Sequence, residues 1–556
     1  MALIRVLAAY SRYWALLLVM VGAVVAWPVS RMMAWSYGWP LAFGALTVVG
    51  IRDLIQTRHA ILRNYPVVGH LRFFLEFIRP EMRQYFIESD TEAAPFSRSQ
   101  RSIVYQRAKQ EIDKRPFGTL HDPYEPGYAW INHSVNPGRP GGHDFRVLVG
   151  GADCTLPYSI SLLNISAMSF GALSANAIRA LNKGAQRGGF AHDTGEGSIS
   201  VHHREHGGDL IWEIGTGYFG CRSPDGRFDP EQFAVTAADP QVRMIEIKLS
   251  QGAKPGHGGV LPGPKVSAEI ARARGVPEGV DCISPSNHSA FATPLELLTF
   301  VQTLRRLSGG KPTGFKLAIG HPWEWFAIVK AMLSSGITPD FIVVDGKEGG
   351  TGAAPPEYID RVGVPMREGL LLVHNALVGA GLRGRVRIGA AGKIITAFDM
   401  ARTLAIGADW CNVARGFMFA LGCIQAQSCH TDRCPTGVTT QDPARQRALV
   451  VGDKADRVFH FHKHTMAALA DLVASAGLSH PGALRPDHIM VRINRFDARP
   501  LSAIHDFLEP GELLRDPTRL PVFAAFWERA AAESFILAED SPIAPTLARP
   551  MAASRI

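Results

Sequence analysis

The sequence is poor in cysteine, with seven in 556 residues. An odd number, four of them scattered (Cys154, Cys221, Cys282 and Cys411), excludes a disulfide framework and fits a reducing compartment. Any dense lysine–arginine tract is also missing. The net charge of +8 therefore does not point to nucleic acid, and no nucleic-acid motif accompanies it. An anionic membrane surface accounts better for the excess. No G-x-G-x-x-G strand–helix unit is present, so an internal NAD(P)H site is not expected. No short-period repeat or low-complexity tract interrupts the chain. With 46% hydrophobic and 19% charged residues, it has ample core for a globular protein of several domains, or for one large barrel with additions.

What is present begins with two apolar runs, 14–29 ("WALLLVMVGAVVAWPV") and 32–51. Each approaches the roughly 20 residues that cross a bilayer, and Trp14, Trp35, Tyr37 and Trp39 suit its interfaces. A signal peptide is the weaker reading, because no small-residue cleavage site follows and a second span comes at once. Arg5 and Arg12 precede the pair, Arg52, Arg58 and Arg63 follow it, and only Arg31 lies between. The positive-inside rule then expects a hairpin, residues 1–51, in the cell inner membrane with both ends and the bulk of the protein cytoplasmic. Residues 52–150 read as a connecting region, with a helix near 69–85 and a Gly/Pro-rich linker at 136–142. Residues 481–556 form a C-terminal extension.

From about 155 the pattern changes to short aliphatic runs alternating with helix-period segments. The runs are 159–165, 189–193, 243–249, 281–284, 314–319, 341–345, 386–390 and 409–414; helical segments include 172–186, 294–307, 324–335, 369–379 and 395–406. Eight β/α units predict an α/β fold, a (β/α)8 TIM barrel over 151–480. A doubly wound open sheet is the competitor. Glycine-rich loops follow these runs: "SAMSFGALS", "DTGEGS", "SQGAKPGHGG", "DGKEGGTGAAP" and "GAAGK". In register on the C-terminal face of a barrel, they predict a large phosphorylated cofactor, with Arg415 as a bidentate partner for its phosphate.

The remaining three cysteines, Cys423, Cys429 and Cys434, stand at C-x5-C-x4-C directly after the eighth run. By spacing they could hold an iron–sulfur cluster, a zinc ion completed by His430, or nothing. A cluster there would lie close enough to a redox cofactor in the barrel mouth to exchange electrons.

"AMSFGALS", "TGEG", "EIKLSQGAKPGHGG", "GFKLAI", "DGKEGGTGAAP" and "GCIQAQSCHTDRCPTGVTTQDP" together resemble the flavin-binding synthase domain of glutamate synthase, in order from about 155 to 480. With its apolar N-terminal segments the whole chain resembles the stand-alone, membrane-anchored FMN-binding glutamate synthase family proteins. The resemblance implies FMN against Ala167, Met168 and Ser169, with Thr194 and Gln251 nearby. It implies Lys316 at the pyrimidine edge of the flavin, where it stabilises reduced-flavin charge. Gly349, Gly350, Gly352, Gly392, Arg415 and Gly416 would surround the phosphate. Cys423, Cys429 and Cys434 would bind a 3Fe–4S cluster in loop 416–450.

Three departures bear on the substrate. Tyr218-Phe219-Gly220 stands where the family commonly has Arg-Phe-Gly, and Gly256-His257-Gly258-Gly259-Val260 where it has Gly-Glu-Gly-Gly-Gln. Ala390-Ala391-Gly392-Lys393 replaces Ala-Asp-Gly-Gly, with Lys393 adding positive charge. The implied activity is reductive amination of a 2-oxo acid, 2-oxoglutarate to glutamate, through its imine. The alternatives are oxidation of an amino acid or amine with electrons passed to a membrane acceptor, and a non-catalytic electron-transfer subunit. Met1 opens towards a span rather than an amidotransferase, so ammonia is expected from a separate amidotransferase or from solution. Electrons are expected from a ferredoxin, another protein or a membrane donor. Glu196, Asp345 and Glu348 are candidate acid/base groups, more often solvated or bound to backbone amides. His460, His462 and His464 alternate and do not share a helical face.

Overall fold

The computed structural model describes residues 11–33, 36–92, 94–139 and 142–537. Arg5 and Trp35 lie outside them, as do residues 140–141 of the expected linker. The chain divides into two compact units, Met1–Ser97 and Arg98–Ile556.

In the first unit, α1 (Trp14–Met32) and α2 (Gly38–Ile55) pack together. Both are long and apolar enough to cross a membrane, and only 17% of each apolar window is buried. Val24, Leu41 and Val48 stand out with most of their surface exposed. A core helix of a water-soluble domain would cover them; an apolar solvent need not be kept out. Helix α1 runs through Ser30 and Arg31, so Arg31 caps its last turn instead of sitting in the connection. That position suits a cation, which meets the partial negative charge of the helix end.

In the second unit a closed barrel has eight parallel strands in sequential order. They are β1 (Leu163–Ile165), β2 (His192–Asp193), β3 (Leu210–Ile214), β4 (Val242–Lys248), β5 (Thr313–Leu317), β6 (Phe341–Asp345), β7 (Arg387–Ala391) and β8 (Trp410–Val413). Covered on both faces, they carry near-continuous apolar runs. Two of the expected runs need correction. The third strand is Leu210–Ile214, every residue of it buried. The run 281–284 is outside the barrel: Cys282–Ile283 pairs antiparallel with Val260–Leu261 in an excursion after β4. A two-residue strand and a short barrel strand look alike in sequence, and Glu213 inside "LIWEI" breaks the apolar signature. The run 159–165 is also divided, because Tyr158–Ser161 pairs with Arg146–Val149 and only Leu163–Ile165 joins the barrel.

The helices start and stop where local chemistry directs. Ser174 Oγ accepts from Ala177 N at 3.2 Å to open α3 (Ala175–Gly188), and left-handed Gly189 closes it. Thr293 and Glu296 form a capping box for α4 (Pro294–Leu307), with Pro294 at its first turn. A long helix, α5 (Val451–Ser475), packs on α3. Its His462 belongs to the core: it bonds Ser161 Oγ at 3.0 Å and stacks on Phe190.

The barrel floor is tied by one buried pair. Asp340, just before β6, receives Arg305 Nε and Thr313 N at 2.8 Å each and Gly151 N at 2.7 Å. Removing one partner of such a pair leaves a buried charge unmatched. Asp340→Ala is expected to lower unfolding stability by about 3–5 kcal/mol, read by thermal or urea unfolding in detergent; a loss below about 1 kcal/mol contradicts this account of the floor.

Candidate active site at the barrel mouth

The centre of the barrel holds an ionic cluster. Lys316, on β5, contacts Glu213 of β3 and lies 3.3 Å from Glu246 of β4. One ligand oxygen each from Asp193, Glu213 and Glu246 lies within 4.8 Å of the others, and all three residues are buried. Three carboxylates facing one ammonium in a dry interior cannot all stay ionised. Burial pushes Asp193 up to about 7 and Glu246 well above its ordinary range. Burial opposes the Lys316 charge, yet Glu213, Glu246 and Asp193 outweigh it and hold the ammonium well above its usual range.

The loops above this cluster interlock. Thr194 is buried and accepts from Glu213 N at 3.1 Å through its hydroxyl. Met168 is buried, and Ala167 and Ser169 are half-buried, on the loop after β1. Gly252 N, next to Gln251, donates to Asp345 Oδ2 at 2.9 Å. A Cβ on Gly252 would collide with the carbonyl of Gly346, so the β4 and β6 loops meet backbone to backbone. A Cβ on Gly350 would lie 2.9 Å from Arg415 Nε, and Arg415 Nη2 donates to Thr351 O at 3.1 Å. Around Gly352 there is open space. Gly349 lies beside Asp345, and Gly392 faces Met366 and Glu348. Gly416 instead faces Val413 and Phe461, which makes it a packing position. The structure thus brings Thr194 and Lys316 to one cluster, and Gln251, Gly349, Gly350 and Arg415 to one set of loops. A bare, glycine-lined surface with a guanidinium beside it fits a phosphorylated cofactor.

The cysteine loop is seated on the β1 loop. Ser174 N donates to Val438 O at 2.9 Å, and Gln441 Nε2 donates to Gly171 O and Leu173 O at 3.0 Å each. Buried Lys265 donates to Cys429 O at 3.0 Å and to Thr439 O at 2.9 Å. Gln425, Gln427 and Asp432 adopt left-handed backbone. The three thiols are near enough to affect one another electrostatically. They are not gathered, with or without His430, at the spacing of a single ion; among the described residues only Asp193, Glu213 and Glu246 converge so tightly. Burial raises the Cys423 thiol to about 11. At Cys434 burial also pushes upward, but hydrogen bonds from Thr436 and Thr439 outweigh it and bring the thiol to about 7. Three thiols on one loop form a donor set chemically suited to iron and sulfide.

One side of the mouth is cationic. Lys248 Nζ lies 3.1 Å from Glu196 Oε2, and Lys254 and Arg274 are buried. Burial opposes the Glu196 charge, but Lys248, Arg274 and Lys254 hold its carboxyl below the ordinary range. Burial lowers Lys254. The departures from the family pattern sit close by. Tyr218, fully buried, is locked: its hydroxyl accepts from Ala290 N at 3.1 Å and bonds His288 Nδ1 at 3.2 Å. His288 Nε2 bonds Lys248 O at 2.9 Å, and burial lowers its imidazole to about 4. His257 bonds Gly258 O through Nδ1 at 2.9 Å, and Val260 lies in the excursion hairpin. Glu348 accepts Met366 N at 2.9 Å, so it is occupied by a backbone amide.

Sequence reasoning singled out Lys316 but missed Asp193, Glu213, Glu246, Lys248, Lys254, Arg274 and His288. A usable signal existed for the acids, since "LIWEI" and "MIEIK" each place a carboxylate inside a short buried strand. Burial raises the Asp193 carboxyl, in concert with Glu246, to about 7, against about 3.9 unfolded. The native state therefore holds the extra proton between those values, and this contribution to stability is full below the unfolded pKa and lost as pH rises towards 7. Asp193→Asn keeps the acceptor for Gly195 N and should gain stability relative to the parent as pH rises from about 4 to 7. Parallel pH dependence of the two melting temperatures contradicts the assignment.

Comparison with known proteins bears on this geometry. Residues 155–479 match the family model described as conserved region in glutamate synthase. The glutamate synthase large subunit-like protein YerD of Bacillus subtilis is 38% identical over 482 residues, covering 80% of this chain and 91% of YerD. The archaeal glutamate synthase [NADPH] of Archaeoglobus fulgidus is 33% identical over 328 residues, covering 59% of this chain and 61% of that one. Its Methanocaldococcus jannaschii counterpart is 34% identical over 329 residues, with the same coverage of 59% and 61%. The chain thus spans about three fifths of the length of these archaeal relatives. With the family model covering more than half of its length and YerD matched almost end to end, the chain belongs to the glutamate synthase family of oxidoreductases.

Proposed function

We propose that the barrel mouth binds FMN and carries out two-electron chemistry at the C–N centre of an anionic amino or oxo acid. The observation that carries this reading is the buried Lys316–Glu213–Glu246 set at the barrel centre, below the interlocking loops that carry Gln251, Gly350 and Arg415. FMN, when bound, supplies hydride acceptance and donation. Ala167, Met168, Ser169, Thr194 and Gln251 would hold its ring, Lys316 its pyrimidine edge, and Gly349, Gly350, Gly352, Gly392 and Arg415 its phosphate. Cys423, Cys429 and Cys434 would hold a 3Fe–4S cluster, a one-electron relay at the rim.

The favoured direction is oxidation of an amino acid or amine. The substrate loses a hydride from carbon and a proton from nitrogen, and water converts the resulting imine to an oxo compound and ammonium. Lys248 and Arg274 attract the substrate carboxylate, and Lys254, whose ammonium is disfavoured by burial, takes the nitrogen proton. A cluster held by Cys423, Cys429 and Cys434 would supply one-electron transfer towards a membrane acceptor, with the N-terminal hairpin holding the chain at the inner membrane and its barrel cytoplasmic. Two observations support this direction: the exposed apolar hairpin, and the locked Tyr218 where an arginine is usual.

Family membership and the cationic wall favour a second reading, reductive amination of 2-oxoglutarate to glutamate. It needs electrons from a ferredoxin or membrane donor, and ammonia from a separate amidotransferase or solution. A purely electron-transferring subunit is the third possibility. Anaerobic absorbance separates them. Bleaching of oxidised flavin by an amino acid is the expected result. Reoxidation of reduced flavin by 2-oxoglutarate with ammonium selects the synthase direction, and inertness to both contradicts catalysis at this mouth. Lys248→Met should raise the substrate KM about tenfold to a hundredfold, the loss of one charge-assisted contact, with flavin content unchanged. An unmoved KM removes Lys248 from the substrate side.

A further inference from the structure

The helix after the hairpin carries a surface that the barrel chemistry leaves unexplained. Gly69–Met82 continues into one wider turn, Arg83–Ile87. Leu71, Phe74, Leu75, Ile78 and Met82 follow the spacing i, i+3, i+4, i+7, i+11 of a single helical face. Arg72, Glu76, Arg79 and Arg83 occupy the adjoining face at the same kind of spacing. Phe77, Phe86 and Ile87 are 79%, 78% and 74% exposed, as open as Val24 at 74% in the first apolar helix. Phe73, half-buried, turns back to meet the His59 ring at 5.5 Å.

The start of this helix is fixed to the end of α2. Asp53, in the last turn of α2 and 1% exposed, accepts His70 Nε2 at 2.9 Å and Val67 N at 3.0 Å. The clamp sets the beginning of the amphipathic helix at the level where the apolar run of α2 gives way to Arg52 and Asp53. That is the depth of lipid headgroups if α2 spans. Between residues 58 and 88, Arg58, Arg63, Arg72, Arg79 and Arg83 outnumber Glu76, Glu81 and Glu88, leaving net positive charge; Arg72 pairs with Glu76 at 3.0 Å and Arg83 with Glu88 at 3.4 Å.

We propose that residues 69–87 lie flat in the headgroup–acyl boundary of an anionic bilayer, with Leu71, Phe74, Leu75, Met82 and Phe86 towards the acyl chains. The inference rests on the hairpin reading. At about 1.5 Å per residue the segment covers roughly 25–30 Å of surface. Aromatic and aliphatic side chains enter the boundary, and the flanking arginines extend their guanidinium groups to lipid phosphates. Continuity with the hairpin and charge complementarity favour lipid over a second copy of the chain.

The test uses the full chain reconstituted in vesicles of phosphatidylcholine with phosphatidylglycerol, and a phospholipid bearing a photoreactive group high on its acyl chain. Adducts mapped by mass spectrometry are expected in both 14–55 and 69–87. In vesicles of phosphatidylcholine alone, labelling of 69–87 should fall severalfold while that of 14–55 holds. Labelling confined to 14–55 overturns the proposal and leaves the hairpin standing. No labelling of 14–55 removes the hairpin and the proposal with it. Protein–protein adducts through 69–87 in place of lipid assign the face to a second copy and also overturn it.

Discussion

The barrel mouth is organised around one buried ammonium. Lys316 offsets the charge of carboxylates brought in by three other strands. Without a cation there, the negative charge remaining in the set would stand unmatched in the interior. The cluster therefore links strands β2 to β5 electrostatically as well as through their ladders. It also fixes where positive charge stands at the base of the mouth. Groups that interact this strongly titrate together, so the proton held among them belongs to the set.

The loops above obey a second constraint, close backbone approach. The β4 loop can meet the β6 loop only because position 252 has no side chain, and Arg415 reaches Thr351 past the bare backbone of Gly350. The cysteine loop is anchored from below by Lys265 and from the side by Gln441. Lys248, Lys254 and Arg274 stand around Glu196 as a cationic wall. The mouth thus combines a charged floor, glycine-bared loops and one cationic side.

Much of this was legible in the sequence, and the failures have physical causes. Seven of the eight barrel strands announced themselves as apolar runs, five of them before glycine-rich loops. The eighth, Leu210–Ile214, was hidden because its Glu213 serves the central cluster, and a buried carboxylate looks polar in a pattern count. Cys282–Ile283 took its place because a two-residue hairpin strand has the same local signature. Lys316 was legible through motif; its partners were not, since only folding brings residues 193, 213 and 246 together. The effect of Tyr218 was likewise unreadable, because its hydroxyl is engaged by His288 and Ala290, some seventy residues away.

The central claim is that Lys316 sets the electrostatics of a bound flavin. Its most direct test is the flavin midpoint potential of anaerobically purified protein, compared with Lys316→Gln at matched flavin content. The account predicts about one FMN per chain and a lower potential in the variant, because the charge that stabilises reduced flavin is gone. Protein that holds no flavin, or a potential that does not move, would contradict it.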